Sequence, residues 1–283
     1  MEITTTKQPG SIPPRLAMIN SFAGFGRCST TVALPVMSAL QVQVCPVPTS
    51  VLSNHLAFPT CYYEDYTPHM RGYIHAWQEL GITFDGLYCG FLGSVEQMHI
   101  VEEFIQSFHP GLFLLDPVMG DHGRSYSTIT PEHCQSMKQL LKYADILTPN
   151  VTEACLLTDT PYHDGQWTDA KLQQLCEKLS LLCPGNIVIT GLSDASSITN
   201  YIWSKGQHST YSLPIAGEGR PGTGDLFASI LTAEALHHAD FASSVKKAAD
   251  FVALCIRGSE EMGVPVKEGV ILENYLHYLH PQA

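Results

Sequence analysis

Strand-length apolar runs alternate with helix-spaced segments along the first two thirds of the chain, and no other feature restricts the possible folds as strongly. Runs of strand length occur at "RLAMIN" (15 to 20), "VQVCPV" (42 to 47), "GLYCG" (86 to 90), "LFLLDPV" (112 to 118), "ADILTPN" (144 to 150) and "NIVITG" (186 to 191). Between most of them, apolar spacing predicts helices over 28 to 40, 67 to 80, 94 to 108, 131 to 142 and 168 to 182. Apolar strands joined by helical crossovers predict an α/β fold, a mostly parallel central sheet covered by helices. After 191 the pattern changes. Short strand-like runs at 199 to 204 and 209 to 215 predict an antiparallel extension, and helices are expected at roughly 222 to 238, 240 to 257 and 268 to 279. No repeat, low-complexity segment or compositional shift marks a linker, so 15–283 reads as one domain behind a flexible tail over 1–14.

With 283 residues, 45% of them apolar, the chain can bury one large core or two modest ones. A formal charge of −12, with only 15 Lys and Arg spread along the sequence, argues against a nucleic-acid footprint or an anionic membrane surface and favours a small-molecule partner. Nine cysteines form no C-x-x-C pair, and their odd number indicates neither a disulfide framework nor a zinc site; a reducing cytoplasm fits best. The opening "MEITTTKQPGSIPP" lacks an apolar h-region, and no later stretch approaches the roughly 18 apolar residues of a membrane span.

Several strands end in polar groups or glycine: Asn20-Ser21, Gly90, Asp116, Thr148-Pro149-Asn150 and Thr190-Gly191. Ligands bind at the C-terminal strand edge of open α/β sheets, so these groups should converge on one crevice. The segment "GRPGTGDLFASILTAEAL" (219 to 236) then places Asp225 on the first turn of a helix behind glycines. A helix N-terminus leaves N–H donors unpaired and attracts anions, and Gly222 and Gly224 keep side chains out of the way. Asp225 beside a bound phosphoryl group could take a proton from an attacking hydroxyl. The plainer alternative is an acid complementing the helix dipole after a glycine turn.

Gly217, Gly219 and Gly222 also satisfy G-x-G-x-x-G, with Asp240 about twenty residues on. A dinucleotide fingerprint needs a parallel strand after its helix, whereas "DFASSVKKAADFVALCIR" reads as a second helix, and Pro221 lacks the N–H expected there. No Walker-type motif is present. Asp116 in "DPVMGD" and Glu153 in "TPNVTEACLL" sit at neighbouring strand ends and suit a Mg²⁺ otherwise held by nucleotide phosphates, although each could be an ordinary turn or first-turn acid. The polar "GDHGRSYST" (120 to 128) reads either as a flap that excludes water or as a surface loop.

These motifs together, "INSFAGFG", "SVLSNH", "GFLGSVEQ", "DPVMGD", "LTPNVTEA", "IVITG" and "GTGDLF" in that order, resemble the pyridoxal kinases of the ribokinase superfamily over about residues 15 to 257. The resemblance implies a ribokinase-like three-layer α/β/α sandwich and ATP-dependent phosphorylation of the 5′-hydroxymethyl of pyridoxal, pyridoxamine or pyridoxine. It implies Asp225 as catalytic base, with Gly222, Thr223 and Gly224 as anion hole. Asp116 and Glu153 would organise Mg²⁺ and the ATP phosphates, with Thr148, Asn150, Thr190 and Thr223 on the nucleotide side. Ser21, Ser53, Asn54, His55, Leu56 and Phe91 would line the vitamin pocket, and Tyr126 belongs to a lid. A homodimer is implied, and a monovalent cation is a further candidate cofactor.

Two positions depart from the family pattern. Phe22 follows Ser21 where histidine is usual, and Leu56 replaces a threonine that contacts substrate, which bears on vitamer preference but not on phosphoryl transfer. Without the resemblance, Ser21 could be a turn residue, His55 an ordinary core or surface side chain, and Phe91 core packing. Hydroxymethylpyrimidine kinase of the same superfamily and a non-catalytic pyridoxal phosphate binder are the alternative functions.

Overall fold

The structure, a computed structural model, describes residues 12–165 and 167–280, so the expected tail over 1–14 falls largely outside the described residues. The chain begins with β1 (Arg15–Ala23), α1 (Thr30–Ala39), β2 (Gln43–Leu52), β3 (Tyr63–Asp65) and α2 (Thr67–Glu79). It continues through β4 (Gly86–Cys89), α3 (Val95–Phe108), β5 (Phe113–Leu115), β6 (Gly120–Asp121), β7 (Arg124–Ser125) and α4 (Pro131–Leu140). Then come β8 (Ile146–Leu147), α5 (Val151–Leu157), α6 (Asp169–Ser180), β9 (Asn186–Ser193), β10 (Ser197–Ser204), β11 (Gln207–Pro214), α7 (Thr223–Leu236) and α8 (Phe241–Glu261).

Among the described residues, nine strands form one sheet in the order β11-β10-β9-β8-β5-β4-β1-β2-β3. The six strands from β9 to β2 run parallel, while β3, β10 and β11 pair antiparallel at the two edges. Side chains alternate between faces along a strand, and this divides the core in two. Ala17, Ile19, Leu87, Cys89, Phe113, Leu115, Ile187 and Ile189 enter one cluster with residues of α2 to α6. Their neighbours Leu16, Met18, Tyr88, Leu114 and Val188 enter the other, with residues of α1, α7 and α8. Both faces of the parallel strands are therefore buried, as their unbroken apolar runs predict, and the three-layer α/β/α expectation is met.

The chain leaves β1 towards β2 on one side and returns to β4 on the other, so the strand order reverses around β1. A crevice opens at such a switch point, outside the carboxyl ends of the strands. Asn20, Ser21 and Gly90 lie there.

One local expectation needs correction, and two details are not anticipated by the sequence. Residues 268 to 279 do not form a helix; the segment makes two isolated 3₁₀ turns, Val266–Glu268 and Leu276–Tyr278. Its carbonyls are bonded sideways instead: those of Val264 and Gly269 accept from Arg220, Glu268 from Arg27 and Lys267 from His55. The segment 120 to 128, read as a flap or a surface loop, contains a two-stranded ribbon, β6 with β7. The short edge strand β3 falls where the sequence offers no apolar alternation.

Candidate active site

α7 begins without a side-chain cap. Its N-cap is Gly222 at φ 81, a left-handed conformation that glycine adopts without strain, and a Cβ there would overlap the Arg27 carbonyl oxygen. Thr223 Oγ1 donates to the Arg220 carbonyl at 2.9 Å and closes the turn that leads into the helix. The exposed Gly224 has open space where a side chain would be. The uncapped N–H groups of this end are donors of the kind that attract an anion.

Asp225 lies in the first turn of α7 and is held from two other segments. The Ser29 N–H donates to its Oδ2 at 2.7 Å, and Asn20 Nδ2 donates to its Oδ1 at 3.2 Å. Asn20 is 1% exposed, and its Oδ1 accepts from the N–H groups of Ser21 (2.8 Å) and Phe91 (3.0 Å), which fixes which way the amide points. A Cβ on Gly90 would collide with that amide, which accounts for the glycine at the end of β4. Burial pushes the Asp225 carboxyl up, and the Ser29 and Asn20 donors restrain the rise.

Asp116, at the end of β5, accepts from Thr148 Oγ1 at 3.0 Å and is 7% exposed. Burial, then the neighbouring Asp225 charge, pushes its carboxyl up to about 7. Glu153 completes a capping box with Asn150 on α5: its Oε2 accepts from the Asn150 N–H at 2.8 Å, and Oε1 accepts from the Met119 N–H at 3.1 Å. Burial and the Asp116 charge still hold it well above the usual carboxylate range. The first-turn reading of Glu153 is thus realised, and it ties α5 to the loop that follows Asp116.

Three buried or half-buried carboxylates, all with raised affinity for a proton, describe a place short of positive charge. A Mg²⁺ fits this donor set. Asp116 keeps Oδ2 without a hydrogen bond within the described residues, whereas both oxygens of Glu153 already accept backbone N–H groups, which suits a role through water. Among the described residues no group of three or more His, Cys, Asp and Glu could hold a metal by itself, so other ligands would have to come from a bound molecule.

The remaining expected residues divide by position. Thr148 and Asn150 flank the acids; Asn150 Nδ2 donates to the Gly120 carbonyl at 2.7 Å, and an isolated bridge joins Asn150 to Thr190. Tyr126 follows the β6–β7 ribbon, and its phenol is pushed up by burial and by the Glu153, Asp121, Asp116 and Asp225 charges, so it lies within electrostatic reach of the acids. The ribbon is anchored by Gly123, whose N–H donates to Thr152 Oγ1 at 2.9 Å. Ser21 is buried and donates to Ser29 Oγ at 2.8 Å, beside the N–H that holds Asp225. Phe91 is brought to the same corner through Asn20.

The segment 53 to 56 is less available. Ser53 Oγ donates to Asn54 Oδ1 and accepts from the Tyr62 N–H. The Lys267 carbonyl can only accept, so His55 Nε2 donates to it, at 2.6 Å, while the Ala57 N–H approaches Nδ1 at 3.3 Å. That arrangement uses both ring nitrogens inside the protein. Leu56 is 54% exposed. Asn20 and Ser29 are the site residues that sequence reasoning missed. Asn20 stands at a strand end already singled out, but Ser29 contributes only a backbone N–H, which no motif marks.

A family model described as phosphomethylpyrimidine kinase matches residues 76–270. A Bacteroides thetaiotaomicron protein assigned to the phosphomethylpyrimidine kinases has a crystal structure that superposes with a TM-score of 0.92 at 33% identity, covering 98% of this chain and 97% of that one. A second crystal form of it, with pyridoxal, superposes with a TM-score of 0.89 at 34% identity, covering 94% and 96%. The hydroxymethylpyrimidine/phosphomethylpyrimidine kinase of Aquifex aeolicus is 28% identical over 260 residues, covering 88% of this chain and 90% of its own. The pyridoxal kinase of Dictyostelium discoideum is 27% identical over 239 residues, covering 77% of each chain.

Proposed function

The chain belongs to the phosphomethylpyrimidine kinase family, whose relatives include pyridoxal kinases, and from that premise we propose that it transfers the γ-phosphoryl group of ATP to the 5′-hydroxymethyl of a B6 vitamer. The observation that carries the reading is Asp225, held on two sides by the Ser29 N–H and the Asn20 amide, at the uncapped start of α7. In the reaction the vitamer hydroxyl attacks phosphorus, the bond from phosphorus to the β–γ bridging oxygen breaks, and Asp225 accepts the hydroxyl proton late in the transfer. The α7 N–H groups bear on the charge spread over the migrating phosphoryl oxygens. Mg²⁺ bound through Asp116, with Glu153 supporting that loop, supplies neutralisation of the triphosphate. Thr148, Asn150, Thr190 and Thr223 belong to the nucleotide side, and Tyr126 covers it. Ser21, Phe91 and the 53 to 56 segment belong to the ring side. The reading extends to a homodimer in the cytoplasm, checked by light scattering and by fractionation of the source cells.

Pyridoxal in the related Bacteroides protein supports the ring assignment. The Aquifex relative, matched over most of both chains, favours a second reading in which the acceptor is hydroxymethylpyrimidine. Coupled ATP turnover across pyridoxal, pyridoxamine, pyridoxine and hydroxymethylpyrimidine separates the two. We expect the highest kcat/KM for a B6 vitamer; a preference for the pyrimidine transfers the assignment. Tight binding of pyridoxal phosphate without ATP consumption on any acceptor would instead make the protein a binder.

A further inference from the structure

Arg220 stands two residues before Gly222 and five before Asp225, and its side chain is 1% exposed. Its Nη1 donates to two backbone carbonyls of the C-terminal segment, Val264 at 2.9 Å and Gly269 at 3.3 Å. Nη2 donates to Glu260 Oε1 at 2.9 Å, and that oxygen also accepts from the Glu218 N–H at 3.3 Å. Nε has no hydrogen-bond partner among the described residues. Burying a guanidinium with an unpaired donor against a half-exposed carboxylate is a poor source of stability, because the desolvation cost is only partly offset. Another reason for the residue is required, and its neighbours supply one.

Three segments meet at this point. Gly222 packs against the Arg27 carbonyl, and a Cβ on Gly269 would lie 2.8 Å from the carbonyl oxygens of both Gly26 and Arg27. Arg27 in turn donates to the Glu268 carbonyl and pairs with Glu273. Backbone oxygens of 26, 27, 264 and 269 thus crowd behind the turn that presents the anion hole. Converging carbonyl oxygens are the donor set of a hard cation, and the family resemblance leaves a monovalent cation as a candidate cofactor. The residues present do not fit one: the Val264 and Gly269 oxygens already accept from the Arg220 guanidinium.

We propose that Arg220 is a resident cation behind the anion-hole turn, holding that turn against the C-terminal segment and standing, on the carbonyl oxygens there, in place of a free monovalent cation. Arg220 acts as a positioning residue. It does not touch the substrate but fixes the Gly222 turn, whose N–H groups have to meet a phosphoryl oxygen. The inference rests on the kinase reading above.

The test uses the full chain and whichever acceptor the wild-type protein turns over best, so that failure of the kinase reading appears first, as absent turnover. Wild-type kcat is expected to agree within about twofold in KCl, NaCl and tetramethylammonium chloride at equal ionic strength. Arg220→Ala is expected to lose kcat by ~10²-fold, the scale of a small misplacement of a reacting group, with the KM for the acceptor little changed. Millimolar guanidinium or K⁺, but not tetramethylammonium, should restore part of that loss and raise the melting temperature of the variant while leaving that of the wild type unmoved. Arg220→Lys, which keeps the charge and one donor, should retain more turnover than the alanine variant and serves if that variant fails to fold. Strong activation of the wild type by K⁺ over tetramethylammonium overturns the proposal. So does a folded Arg220→Ala protein with wild-type kcat, or one whose loss no small cation repairs.

Discussion

Asp116→Asn is expected to make the ligand-free protein more stable while removing its activity. The folded-state carboxyl titrates at about 7 against an ordinary value of 3.8, with burial first and the Asp225 charge second as causes. A folded pKa above the unfolded one means that the native state holds a proton the unfolded chain has released. The group's contribution is therefore fully present below about pH 4 and lost as pH rises towards 7. About three units at 1.36 kcal/mol each sets a ceiling on the order of 4 kcal/mol. Asp225 carries part of the same repulsion, so the single substitution should recover ~2 kcal/mol at pH 8. Asparagine retains Oδ1, and with it the hydrogen bond from Thr148 Oγ1. For a chain of this length the gain corresponds to a rise of roughly 4 °C in Tm. Melting curves of both proteins from pH 4 to pH 8 should converge at the acid end and separate towards the alkaline end. Mg²⁺ with an ATP analogue should then stabilise the wild type more than the variant. Parallel pH dependences, or a less stable variant at pH 8, would refute the electrostatic account of the site.

Asp225→Asn should lower kcat by about 10²- to 10⁴-fold, the span of a lost general base, with the KM for ATP little altered; near-normal turnover in steady-state assays rejects the assigned role. Asn20→Ala removes one of the donors that restrain the rise in the Asp225 pKa. The acid limb of the pH profile of kcat/KM should move to higher pH, and an unmoved limb would show that Asn20 does not govern the base. Gly222→Ala places a Cβ against the Arg27 carbonyl in a left-handed conformation. Strain of about 1–3 kcal/mol, together with that overlap, should reduce turnover more than it reduces Tm, and a fully active alanine variant would remove the turn from the mechanism.

Much of the fold is legible in the sequence because the parallel strands are buried on both faces. "LFLLDPV" and "NIVITG" are apolar for that reason, and their alternate residues supply two cores. Asp225, Asp116 and Glu153 are legible because each follows a strand or glycine boundary that punctuates the chain. The C-terminal segment is not. Its apolar spacing over 268 to 279 resembles a helix, but Arg220, Arg27 and His55 bond carbonyls across 264 to 269. These partners lie more than 40 residues away in sequence, and no local pattern records them. The same holds for Asn20, whose bond to Asp225 spans 205 residues. His55 is the converse case: the motif is legible, but the intraprotein partners of its ring are not.

On the proposed reading, the costs in this part of the molecule have a common origin. The uncapped start of α7 presents N–H groups that favour an anion, whereas burial raises the proton affinity of Asp116, Glu153 and Asp225, and a neighbouring acid's charge adds to the rise at Asp116 and Glu153. A simple anion such as phosphate would satisfy the helix end and worsen the repulsion among the acids. A bare divalent cation would relieve the acids and leave the helix end unpaired. A polyphosphate carrying Mg²⁺ answers both at once, which is why these opposed defects in one crevice point to a nucleotide-dependent kinase rather than to a phosphate binder. The two halves should then bind cooperatively. Titration calorimetry should show Mg²⁺ strengthening ATP binding more in the wild type than in Asp116→Asn, and equal enhancement in the two would separate the helix end from the acids.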